Sequence, residues 1–313
     1  MLAKAAGLPA DEVFFDLEDS VAPLEKEAAR GNVVEALKQN AFHAPTKVLR
    51  VNGVYTRWCA KDLLEVVEAV GEQLDCIMIP KVETVADVKF VSNLLRMIEE
   101  NMGFERRIGI EVQIETAIGL KNIHDIAASD DRIEDLILGP ADMSASLGLP
   151  TVTAGEPIPG YENLDHFHYV LTHINIAARA NNLQAIGGPY LLIRDLEGFR
   201  AAAMRERALG YDGKWALHPD QVAPLNEIYT PPLEAYERAE GIMAAYKKAT
   251  EEDHVGAVMF GDEMIDEASR KMAEQLSIKG RLCGLDQKLA QKHSGDATAP
   301  EPAPAGATAG EQA

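Results

Sequence analysis

Two carboxylates, Glu115 and Asp142, each close a short apolar run in this sequence, and neither has a histidine or cysteine beside it. Oxygen donors of this kind suit a hard cation such as Mg²⁺ rather than Zn²⁺. The alternative is structural, with Glu115 capping a helix and Asp142 in a solvated loop. Arg50 closes another apolar run. A guanidinium there could hold a substrate carboxylate through two parallel hydrogen bonds, or pair structurally with Asp16 or Glu18. Lys81 follows Ile79-Pro80 and could pair with Glu83 or a neighbouring carboxylate. In the run 108–115, Glu111, Gln113 and Glu115 fall on one face by period-2 alternation. Polar groups pointing into an interior are costly unless something cationic or hydrogen-bonding receives them.

The elements that must position these residues form a repeating pattern. Short β-rich runs occupy 13–17, 47–51, 76–80, 108–114, 136–139, 184–188 and 214–218. Helical spacing lies between them: Leu63, Val66, Val67 and Val70, then Val88, Val91, Leu95 and Ile98. Apolar strands alternating with helices predict a parallel sheet covered on both faces. The fold class is therefore α/β, a (β/α) barrel, with a doubly wound open sheet as the alternative. In a barrel the reactive groups gather at the C-terminal strand ends. That edge carries Asp16, Glu18, Asp19, Arg50, Asn52, Lys81, Glu83, Glu115, Asp142, Pro189 and His218.

The rhythm breaks after His218 at Pro219, Pro224, Pro231 and Pro232. A helix over 233–248, a hairpin turning at Gly261-Asp262 and a helix from about 266 to 276 follow. The expected organisation is a barrel over 1–219, a C-terminal extension over 220–286 and a disordered tail over 287–313 rich in Ala, Pro and Gly.

A formal net charge of −20 over 313 residues argues against nucleic acid or an anionic membrane surface as partner. The three scattered cysteines, Cys59, Cys76 and Cys283, show no CxxC pair, so no disulfide framework or structural zinc is expected and a cytoplasmic setting is. No secretory signal and no membrane-length apolar run is visible. His166, His168 and His173 resemble a metal cluster, but 166 and 168 would face different sides of a helix, and they read as packing or surface residues. GxSxG, P-loop and GxGxxG motifs do not occur.

Seven stretches in order resemble the citrate lyase β-subunit/malyl-CoA lyase group of the HpcH/HpaI aldolase superfamily. They are FFDLEDSVAP (14–23), LRVNG (49–53), IMIPKVE (77–83), EVQIETAIGL (111–120), LGPADMSASLG (138–148), GKWALHPDQV (213–222) and GDEMIDEASRKMAEQL (261–276). The wording of the fourth and fifth is most similar to malyl-CoA and β-methylmalyl-CoA lyases. The resemblance implies a (β/α)₈ TIM barrel, homotrimeric or homohexameric, that makes or breaks the bond between an acyl-CoA and a 2-oxoacid such as glyoxylate. It implies Mg²⁺, with Mn²⁺ as substitute, and CoA as part of the substrate. Glu115 and Asp142 match the metal ligands, with Glu115 also touching substrate. Arg50 matches the arginine that holds substrate, and Pro189 falls in the substrate-binding loop. Glu18, Asp19 and Lys81 surround the metal, and Asp266 matches an acid–base residue delivered to a neighbouring subunit.

Two departures stand out. The family opens with a strand that has no counterpart before the first helical residues here, so the expectation is a barrel lacking its first strand, with the true start upstream or the gene model truncated. Where many relatives carry aspartate before Gly-Pro, this chain has Gly187. Competing expectations are a malyl-CoA thioesterase, a citramalyl-CoA lyase, a citrate lyase β-subunit and, from another class, a non-catalytic barrel subunit.

Overall fold

The computed structural model describes residues 5–39, 41–153, 158–160 and 166–296. They divide into two compact units, 1–229 and 230–313. In the first unit, seven parallel strands lie side by side in sequence order. These are β1 (Glu12–Asp16), β2 (Thr46–Arg50), β3 (Cys76–Ile79), β4 (Gly109–Ile114), β5 (Ile133–Leu138), β6 (Gln184–Gly187) and β7 (Gly213–Lys214). The strands are short and apolar, and β3 and β4 are buried along their whole length. Such strands need cover on both faces, and the helices after them cover one of the two.

The helices follow from their own sequence. Val88, Val91, Leu95 and Ile98 form the buried stripe of helix Val85–Met102. Its first turn is closed by Asp87, whose carboxylate accepts the Thr84 N–H at 2.8 Å, and its end by Gly103 at φ 72°. Leu63, Val66, Val67 and Val70 are likewise buried, but Leu63–Val67 widens into a π-helical turn.

The sheet is curled. The ring of Phe14 on β1 lies 4.5 Å from the ring of Trp215, which follows β7. Inside the curl, Val48, Cys76, Met78, Ile137 and Trp215 form a small apolar cluster separate from the larger core between strands and helices. Among the described residues no eighth strand pairs with β1 or β7.

Two strand ends differ from expectation. β5 starts at Ile133, three residues early, where Ile133 is buried and a register shift at Ile110/Glu111 admits the extra length. β7 stops at Lys214, because the Leu217 and His218 N–H groups donate to Gln221 Oε1 at 2.7 and 3.3 Å and start a 3₁₀ turn. Helix Val222–Tyr229, expected in the extension, belongs to the first unit.

The second unit holds helices Leu233–Glu251, Glu267–Leu282 and Leu285–Asp296 and the antiparallel hairpin β8 (Val258–Phe260) and β9 (Glu263–Ile265). Gly280 lets the first two helices meet, since a Cβ there would stand 2.2 Å from the Tyr236 ring. The disordered tail expected from residue 287 begins instead as the third helix. Leu285 is buried there and Lys292 pairs with Glu237 at 2.7 Å, contacts that offset the entropy of ordering a polar segment. Residues 297–313 lie outside the described residues. No helix among those described is long and apolar enough to cross a membrane.

Candidate active site

The C-terminal edge of the sheet is built outward from Asp16, the last residue of β1. Its carboxylate accepts Arg50 Nε at 2.7 Å and Arg50 Nη2 at 2.6 Å, a two-point fork across the β1–β2 pair. It also accepts the Glu18 N–H at 2.7 Å and the Ser20 N–H at 3.1 Å, which shapes the turn beyond the strand. Burial alone would push Asp16 upward, but the guanidinium and these N–H donors hold it below the ordinary carboxylate range. Of the two readings of Arg50, the ion pair with Asp16 is present. It uses only one edge of the guanidinium. The other nitrogen, Nη1, faces Gln113 Oε1 at 3.5 Å and Glu18 Oε2 at 3.6 Å. Phe14 and Trp215 lie against the plane, 5.7 and 5.4 Å from ring centroid to Cζ.

Lys81, one residue past Pro80, joins the rest. Its φ is 52°, a left-handed conformation that a non-glycine residue adopts at a cost. That turn aims its N–H at Glu115 Oε1, 2.7 Å away. Its ammonium stands 2.5 Å from Glu18, 3.3 Å from Asp19 and 3.4 Å from Asp142. Carboxylates from the turns after β1 and β4 and from the helix after β5 thus meet on one residue, the last on its ammonium together with the first. Burial opposes the charge on Lys81, but Glu18, Glu115 and Asp142 more than offset it and raise its pKa.

Glu115 directly follows β4 and is 4% exposed. Gly139 makes room for it, because a Cβ at 139 would stand 2.1 Å from Glu115 Oε2. Burial, reinforced by Asp142 and Glu18 and opposed by Lys81, pushes Glu115 up to about 7. Asp142 sits in the first turn of helix Pro140–Leu147, where the dipole favours an anion, and is more exposed. Glu18 is also raised by burial, against Lys81 and Arg50. Lys26 anchors its backbone, donating to the Leu17 and Glu18 carbonyls at 2.8 Å each.

This group suits a hard cation. The donors are all oxygen, Asp142 and Glu18 help to raise Glu115, and the ammonium of Lys81 already stands among them. Among the described residues no three acidic, His or Cys side chains converge as a ready-made cage. Mg²⁺ commonly takes one or two carboxylates and fills its remaining positions with water and substrate oxygens.

Two of the residues singled out stand elsewhere. Pro189 is half-buried, two residues past β6, and is not part of the charged group. Asp266 lies in the second unit as the N-cap of helix Glu267–Leu282, accepting the Ala268 and Ser269 N–H groups at 2.9 and 3.1 Å. Those bonds hold it below the ordinary range. His173 meets not His166 or His168 but His124, with Nε2 atoms 3.2 Å apart. Sequence reasoning assigned no role to Gln113 or Gly139. The alternation along β4 placed Gln113 on the inner face, whereas nothing local marked the contact between Gly139 and Glu115.

Residues 1–219 match the HpcH/HpaI aldolase/citrate lyase family. The chain belongs to that family. It is 39% identical over 279 residues to an L-malyl-CoA/β-methylmalyl-CoA lyase of Rhodobacter capsulatus, covering 87% of each chain. It is 32% identical to a malyl-CoA/β-methylmalyl-CoA/citramalyl-CoA lyase of Chloroflexus aurantiacus, covering 89% of this chain and 83% of that one. Among solved structures it is similar to protein CitE of Mycobacterium tuberculosis in complex with magnesium, acetoacetate and coenzyme A. The TM-score is 0.67 at 28% identity, over 89% of this chain and 92% of that one.

Proposed function

We propose that this family member is a Mg²⁺-dependent carbon–carbon lyase that reversibly splits a malyl-CoA-type 3-hydroxyacyl-CoA into an acyl-CoA and a 2-oxoacid, glyoxylate for malyl-CoA. One observation carries the reading: Lys81 joins Glu115 and Asp142, its N–H on the first and its ammonium beside the second, next to the Asp16–Arg50 fork at the sheet edge where barrel enzymes do their chemistry. The curled parallel sheet supports a TIM-barrel frame for it. Mg²⁺, or Mn²⁺ in its place, held by Glu115 and Asp142 would supply a Lewis acid for the oxygens of the oxoacid half.

The chain's own residues do the rest. Arg50, fixed by Asp16, turns Nη1 toward the site and takes the oxoacid carboxylate, adding fixed positive charge where negative charge develops. Lys81 keeps Glu18, Asp19 and Asp142 close without direct carboxylate contact. Pro189, past β6, is the proposed contact on the substrate side. In cleavage the 3-hydroxyl gives up its proton, the bond to the acyl α-carbon breaks, and that carbon takes a proton. Asp266, carried by the C-terminal unit of a neighbouring copy in a trimer or hexamer, is the proposed group for the α-carbon proton. A cytoplasmic setting and CoA thioester substrates belong to the same reading.

The test supplies purified protein with malyl-CoA and Mg²⁺ and follows glyoxylate and free CoA separately, with Asp142→Ala as control. Glyoxylate with acetyl-CoA, reduced at least about 10²-fold in the variant, is the expected result. Free CoA without glyoxylate identifies a thioesterase instead. No turnover with malyl-CoA or citramalyl-CoA, together with no Mg²⁺ binding, sinks the enzyme reading.

A further inference from the structure

Lys214 on β7 is an ammonium taken out of water. Its side chain is 3% exposed, and it donates to Glu206 Oε1 at 2.6 Å and to the Gly188 carbonyl at 2.7 Å. Its register partner on β6 is Gly187, so a side chain at 187 would leave the sheet on the same face, beside Lys214. Gly187 has none. A Cβ built there would stand 1.9 Å from Glu206 Oε2 and 2.6 Å from the Glu206 carboxyl carbon. Glu206, reaching in from helix Leu196–Ala208, therefore places its carboxylate in the volume a residue-187 side chain would fill. Glu206 is the carboxylate partner of Lys214 among the described residues, and a buried ammonium stripped of such a partner is strongly destabilised, so something must occupy that place.

The contact leads to the site. Gly188, whose carbonyl Lys214 holds, is pressed against the turn beyond β5: a Cβ at 188 would stand 2.1 Å from the Leu138 carbonyl and 2.5 Å from Pro140 Cδ. Pro140 opens the helix that presents Asp142, and the adjoining Gly139 lies against Glu115. Such close-packed backbone transmits a shift instead of absorbing it.

We propose that Glu206 is a positioning residue for the reaction. From its helix it supplies the carboxylate for which strand position 187 has room, and through Lys214 and the Gly188 carbonyl it sets the loop after β6 against the turn that presents Asp142. The claim rests on the proposed function for its kinetic readout and, through a metal at Asp142, for its Mg²⁺ readout, while the Tm comparison stands without it.

The experiment compares Glu206→Gln, Gly187→Asp and the double variant Gly187→Asp/Glu206→Ala in the full chain. It measures Tm, the Mg²⁺-induced rise in Tm, and kcat and KM with malyl-CoA. Glu206→Gln is expected to lower Tm by about 5 °C and kcat/KM by about tenfold, and to shrink the Mg²⁺-induced rise. The double variant moves the carboxylate to the strand and should recover kcat/KM to within about threefold of the parent. Gly187→Asp alone should be the least stable, because two carboxylates then compete for one space. A double variant no better than Glu206→Gln overturns the proposal, as does a Glu206→Gln indistinguishable from the parent. Recovery of Tm without recovery of kcat/KM overturns the positioning role. If the parent itself shows no turnover, the lyase reading fails, while the Tm comparison still decides whether a carboxylate at position 187 can replace that of Glu206.

Discussion

The two ends of the parallel sheet carry the same side chains under opposite electrostatic conditions. At the C-terminal edge, Asp16, Glu18, Glu115 and Asp142 stand around Arg50 and Lys81. At the N-terminal end, Glu12, Glu111 and Asp135 meet on β1, β4 and β5, and Glu111 and Asp135 are register partners. Burial raises Glu111 well above the ordinary range, and the charges acting on it, Asp135, Glu12 and Glu134, raise it further. Asp135 is raised for the same reasons. Glu111 Oε2 and Asp135 Oδ1 are buried without a hydrogen-bond partner. Carboxylates supplied with cations can remain charged and useful, whereas those denied both cations and water must hold their protons. One end is arranged to handle charge, and the other carries a cost to stability.

The largest expected effect is at the charged end. Arg50→Lys removes the two-point fork to Asp16 and the stacking on Phe14 and Trp215, so kcat/KM should fall by about 10²–10³-fold with little loss of Tm. Steady-state kinetics beside a melting curve check this, and an unchanged kcat/KM would show that the fork is only structural.

At the other end, Glu111→Gln should stabilise the protein. Because the folded pKa of Glu111 lies above its unfolded value of 4.5, the native state binds more protons than the unfolded chain between those two values. The wild-type stability from this group is therefore complete below 4.5 and is lost as pH rises toward the folded value. Urea unfolding should show a gain of about 1–2 kcal/mol at pH 8 and almost none at pH 4. A loss at pH 8 would break the contrast between the two ends. Glu12→Gln, at the half-buried edge of the same group, should shift stability in the same direction by less, about 0.5 kcal/mol. An effect larger than that of Glu111→Gln would place the main repulsion at Glu12.

Much of the frame was legible beforehand. All seven runs became strands, because short apolar segments between helical stripes have few other ways to bury themselves. Arg50, Lys81, Glu115 and Asp142 were readable as strand-end groups for the same reason. The short β7 was not, since Gln221 takes backbone donors that a strand would otherwise use. Helix Leu285–Asp296 was missed because its order comes from packing inside its unit rather than from composition. Nothing in the local sequence marks Glu206, whose importance depends on an absent side chain at Gly187.

The sequence by itself determined the order of the elements, the ends of the first six strands to within a residue, and the inward face of Glu111, Gln113 and Glu115. Those features follow from periods of 2 and 3.6 residues and from local turn chemistry, which act over a few neighbours. Only the tertiary structure decided which carboxylates receive a cation. Lys81 reaches Glu18 across 63 positions of chain, while Glu111 and Asp135 find no such partner among the described residues. Protonation depends on desolvation and on charges brought close by folding, and no local period encodes either.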